Sequence, residues 1–138
     1  MPPLKPTATA KPLDEKITIN VGFVDLGQID LLVQEGFYAN RTDLIRTAIR
    51  NQLSAHADMV RQAVSRRMLV LGIQHFSAAD LEAVQAAGET LQLRVLGLLA
   101  IAPDVTPALA LATIASLTVL GSLHASPAVK AALASRLR

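Results

Sequence analysis

Lys16-Ile17-Thr18-Ile19-Asn20-Val21 decides the reading of this chain. Side chains alternate between the two faces of a strand, so Ile17, Ile19 and Val21 share one face while Lys16, Thr18 and Asn20 share the other. The apolar face needs a core. The opposite face carries a cation, a hydroxyl and an amide, groups suited to the base edges and phosphates of a DNA major groove. An isolated strand leaves its backbone groups unpaired. The simplest partner is the same strand from a second copy.

Two helices are predicted to follow. Asp25 is the expected N-cap of the first, with Gln28 completing a capping box. Leu26, Ile29, Leu32 and Val33 supply the helical period, and Gly36 is expected to end the helix in the left-handed conformation. Phe37-Tyr38-Ala39 forms the turn. Asn40 is the expected cap of the second helix, and Asp43 places a carboxylate in its first turn. Leu44, Ile45, Ala48, Ile49 and Leu53 form the apolar stripe, with Arg46, Arg50 and Gln52 off it. Because neither Gly nor Pro intervenes, this helix is expected to run on through Val60 and Val64 to about Arg66.

The order KITINV, DLGQIDLLVQEG, FYANRTDLIRTAIRNQL resembles the ribbon-helix-helix DNA-binding family of the Arc, MetJ and CopG class. The resemblance covers about 40 of the 138 residues and rests on consistent order, spacing and parity. It implies that two chains pair their strands into an antiparallel ribbon that enters the major groove. Its outward positions would be Lys16, Thr18 and Asn20. It further implies that the second helix anchors a phosphate with its N-terminus, here Asn40, Arg41 and Thr42, as the helix dipole favours. The same positions also admit a plainer account. The polar strand face and the helix arginines serve equally as solvated surface, and Asn40 and Asp43 cap a helix with or without a phosphate.

Composition narrows the class. Hydrophobic residues make up 51% and aromatics 3%, so the core must be aliphatic; net charge is only +2. Residues 1–67 hold nine Lys/Arg against seven Asp/Glu, and residues 68–138 four against four, which puts the excess charge in the first half. Cysteine is absent, which removes disulfides and thiolate chemistry and suits a cytoplasmic location. No secretory apolar segment opens the chain. Residues 1–13 are rich in Pro, Ala, Thr and Lys and are expected to form a flexible tail. Residues 105–129 hold no Asp, Glu, Lys or Arg, long enough to cross a bilayer, but Pro107, Pro127 and His124 argue against a membrane helix.

The second half repeats itself. Met68-Leu69-Val70-Leu71-Gly72, Leu93-Arg94-Val95-Leu96-Gly97 and Leu117-Thr118-Val119-Leu120-Gly121 align at spacings of 25 and 24 residues. A helix-start signal follows each, at Ser77-Ala78-Ala79-Asp80, Ala102-Pro103-Asp104-Val105 and Ser126-Pro127-Ala128-Val129. One strand and one helix per repeat predict a small β-α array, solenoid-like, with parallel strands. The strands are apolar on both parities, which predicts burial on both faces. The exposed edges of a short array invite association with another subunit. The expected organisation is therefore α+β: a flexible tail at 1–13, a ribbon-helix-helix unit at 14–66 and a three-repeat oligomerisation domain at 67–138.

No enzyme is expected. His75 and His124 occupy equivalent repeat positions with Ala100 between them, about 10 Å apart at two rungs, too far for one metal ion. The nickel-sensing branch of the resembled family uses Cys and clustered His, which are missing, so no metal or cofactor is assigned. The leading expectation is a sequence-specific transcriptional regulator that binds double-stranded DNA as a homodimer or higher oligomer. The rivals are an assembly protein using the ribbon only as a dimer joint, and an antitoxin-type autorepressor.

Overall fold

A computed structural model describes residues 13–138 and divides them, apart from Leu13, into two compact units, Asp14–Gln62 and Ala63–Arg138. The expected tail, except for Leu13, lies outside the described residues.

In the first unit, residues 16–21 run without a ladder partner. Helix α1 spans Phe23–Gln34 and begins earlier than predicted: Gly22 is the N-cap and no side chain caps it. Asp25 therefore sits in the first turn, where the dipole favours a carboxylate, and Gln28 turns back onto the Val24 carbonyl at 3.4 Å. The end of α1 is as predicted. Gly36 adopts φ +83°, and the amides of Gly36 and Phe37 close onto the carbonyls of Val33 and Leu32, a Schellman arrangement.

Helix α2 covers Arg41–Ala55 and α3 covers Ala57–Arg67. The predicted single helix is interrupted at His56, whose amide is shared between the carbonyls of Gln52 and Leu53 at 3.3 and 3.2 Å. Such a shared bond tightens the turn locally without a helix breaker. The Gln52 side chain contacts the His56 ring at 3.0 Å. Leu26, Ile29 and Val33 of α1 and Leu44 and Ile45 of α2 are only half-buried, and none of the residues 14–62 is fully buried.

The second unit is the repeat array. Strands β1 (Val70–Phe76), β2 (Leu91–Ile101) and β3 (Ile114–His124) form one parallel sheet in the order β1-β2-β3. The repeats lie in register: Val70 pairs with Val95 and Val95 with Val119, and Gly72, Gly97 and Gly121 form a row. At Gly97, φ is +139° and a Cβ would collide with the Gly72 carbonyl oxygen; Gly121 stands in the same relation to Gly97. Only glycine fits there, both for its dihedral freedom and for the closeness of the next rung.

Helices α4 (Ala78–Ala86), α5 (Pro107–Thr113) and α6 (Pro127–Leu133) pack side by side. Leu81, Ala110, Val129 and Leu133 from the helices join Leu93, Val95, Leu99, Ile101 and Leu117 from the strands in one core. Those strand residues share one parity, so the helices cover one face only. The predicted burial of both faces is not met: Leu71 and Ile73, on the other parity, are 70% and 62% exposed. Within Ala63–Arg138 the three repeats supply a single helical layer, and it lies on one face of the sheet.

The helix starts follow the prediction at two of three repeats. Ser77 and Asp80 form a capping box, with Asp80 held below the usual carboxylate range chiefly by the Ser77 amide. Ser126 caps α6, whose first residue is Pro127. The middle repeat differs. Its helix starts at Pro107, capped by Thr106, rather than at Ala102-Pro103. The intervening loop buries Val105, and Asp104 accepts the Ala78 amide at 3.1 Å, completing the start of α4. Residues 105–129, weighed above as a bilayer span, fall into α5, β3 and the start of α6; no described helix is long and apolar enough to cross a membrane.

After α6 a short 3-10 turn, Ala134–Arg136, leads to Leu137, which bridges to Leu117. The Arg136 guanidinium donates to the carbonyl of Ile114 at 2.7 Å and to that of Leu111. The outer edge of β3 is thus partly occupied, whereas the outer edge of β1 has no partner strand among the described residues.

Candidate nucleic-acid interface

The six residues singled out from sequence, Lys16, Thr18, Asn20, Asn40, Arg41 and Thr42, are all exposed and all belong to the first unit. Lys16, Thr18 and Asn20 lie on the unpaired extended segment. Ile17 and Ile19, the alternate residues, are 74% and 66% exposed. Both faces of the segment therefore meet solvent in the single chain, although isoleucine strongly favours burial.

The start of α2 is well defined. The Asn40 side chain accepts the Asp43 amide at 2.8 Å, and the Asp43 carboxylate accepts the Ala39 amide at 3.0 Å. This reciprocal capping fixes the entry to the helix. The amides of Arg41 and Thr42, at the first two helical positions, have no intrahelical acceptor by construction. They sit at the positive end of the dipole, where an anion is favoured.

Arg41 has a further role that sequence reasoning missed. Its guanidinium donates through Nε and Nη2 to both oxygens of Asp30 at 2.7 and 2.8 Å, a bidentate pair joining α1 to the start of α2. The hydrogen bond from Arg41 holds the Asp30 carboxyl below its ordinary value, and the same bond raises Arg41. Neither residue is buried, so the pair acts as an orienting clasp rather than a large source of stability. Nothing in the 11-residue separation announces such a pair; it appears only once the turn brings the helices together.

His75 and His124 are in register with Ala100, on β1 and β3. Among the described residues, no group of three His, Cys, Asp or Glu is arranged to hold a metal ion.

Comparison with known proteins matches residues 12–130 to the Ribbon-Helix-Helix transcriptional regulator family. The chain belongs to this family. The match reaches well past the roughly 40 residues that carry the sequence resemblance and includes nearly all of the β-α repeats. No curated protein and no solved structure matches the chain.

Proposed function

We propose that this regulator binds DNA sequence-specifically as a dimer, with residues 16–21 of two chains paired into a ribbon that enters the major groove. The observation that carries this reading is the lack of a core in the first unit. None of the residues 14–62 is buried, yet Ile17, Ile19, Phe23, Phe37, Ile49 and Leu53 are apolar and exposed. A unit of this kind gains its stability by association. Pairing the 16–21 segments satisfies their backbone groups and removes the isoleucine face from water in one step.

In this arrangement Lys16, Thr18 and Asn20 face the bases, three side chains from each protein chain. The amides of Arg41 and Thr42, with Asn40 fixing their direction, hold a flanking phosphate. The repeats at 67–138 then join dimers into a higher oligomer. Support comes from the uncovered apolar face and the open β1 edge. The partly occupied β3 edge argues against open-ended strand-to-strand stacking. An antitoxin-type role is less well supported, because the C-terminal half has its own buried core and does not depend on a toxin for order.

The test is selection from a random duplex library by fluorescence anisotropy at two salt concentrations, with the bound fraction sequenced. Enrichment of a short motif, with affinity falling steeply as salt rises, is the expected result. Weak, unenriched binding at both salts refutes base readout and leaves an assembly protein with a dimer joint.

A further inference from the structure

We propose that the open face of the sheet carries, where its strands begin, a binding site for a small, multiply charged oxyanion. A cavity of about 560 Å³ lies there, lined by Arg67, Arg94 and Arg138 together with Gln92, Ser116 and Thr118. The strand register explains the grouping. Gln92 pairs with Ser116 and Arg94 with Thr118, so these four residues occupy two same-face positions on adjacent strands. Such positions are separated by roughly 5 Å across the ladder and 7 Å along it, a patch the size of one or two phosphate or carboxylate groups.

The charge distribution points the same way. No Asp or Glu side chain lines the cavity. Asp80 is engaged in the Ser77 capping box and Asp104 in the Ala78 amide. Three other arginines have structural partners: Arg41 holds Asp30, Arg61 holds Asp58 and Arg136 holds two carbonyls. Arg94 has only one long bond, 3.4 Å to the Arg67 carbonyl, which leaves most of its donor fork facing the cavity. Three guanidinium groups line one space. Guanidinium forks with neighbouring hydroxyl and amide donors match phosphate and carboxylate oxygens. The site is separate from the ribbon residues and does not depend on their role.

The experiment is isothermal titration of the full chain with pyrophosphate and with citrate, comparing Arg94→Gln and Arg67→Gln with the wild type. The expected result is saturable binding of at least one of the two anions, weakened about tenfold or more by either substitution. The ligand-free melting temperature should be unchanged, since both side chains are exposed. Absence of saturable binding by either anion, or binding that survives both substitutions, overturns the proposal. So does a third outcome: no binding of the small anions, with Arg94→Gln lowering the salt dependence of DNA affinity by about one phosphate. The arginine would then serve the DNA backbone instead.

Discussion

Ile19→Ala is the most direct perturbation of the ribbon. Ile19 is 66% exposed in the single chain, and fully burying such a side chain gives about 1.5–3 kcal/mol. Two-thirds of that is about 1–2 kcal/mol per chain, or about 2–4 kcal/mol per dimer if, as proposed, the segment meets its own copy. At about 1.4 kcal/mol per factor of ten, the dimer dissociation constant should rise about 30- to 700-fold. Sedimentation equilibrium over a dilution series measures this directly. Thr18→Ala is the control on the opposite face, and its dimer constant should stay within about threefold of wild type, in line with the small effect of most surface changes. Equal effects from both substitutions, or a larger one from Thr18→Ala, would refute the assignment of faces. An unchanged constant in Ile19→Ala would remove the ribbon itself.

Other outcomes follow from the same geometry. Lys16→Ala should weaken DNA binding and lower its salt dependence by about one phosphate, whereas Asn20→Ala should relax base preference in the library selection; no change in either variant contradicts groove readout. Gly97→Ala meets both an unfavourable dihedral and the Gly72 carbonyl, so chemical denaturation should show a loss of about 2–4 kcal/mol. Asp104→Ala should cost about 1 kcal/mol by removing the acceptor of the Ala78 amide at the start of α4; an unchanged denaturation midpoint would deny that contact a stabilising role. The Asp30 carboxyl is held low in the folded chain, so its contribution is complete above the unfolded value and is lost as pH falls through the carboxylate range, below roughly pH 4. Asp30→Asn should therefore flatten the acid limb of the stability profile, measured by thermal melts across pH.

Local signals foretold local structure. Asn40, Ser77, Ser126 and Gly36 act through hydrogen bonds spanning three to five residues, so their roles were readable from neighbouring letters. The strand register was readable because identical triplets must stack on identical neighbours. Where two signals competed, sequence was ambiguous. The start expected at Ala102-Pro103 falls instead at Thr106-Pro107, because Thr106 offers a hydroxyl cap that Ala102 lacks, while Val105 fills the core and Asp104 reaches a different helix. His56 interrupts a helix through bond sharing, which no residue type marks. The one-sided covering of the sheet was marked only in part: Gln92, Arg94, Ser116 and Thr118 lie on the open face, but Leu71 and Ile73 on the same face look like core residues. At the candidate interface both parities of residues 16–21 meet solvent in the single chain, and the Asp30–Arg41 clasp depends on a fold-level meeting of two helices.

The Asp104 contact bears on how the chain acquires its shape during synthesis. The first turn of α4 receives one of its bonds from a residue 26 positions further along. When the ribosome has delivered only the first repeat, that amide has no acceptor of this kind, and Leu81 has no β2 to pack on. The start of α4 is therefore completed only when the second repeat is present. A released chain that ended between Ile101 and Asp104 would carry α4 without that acceptor.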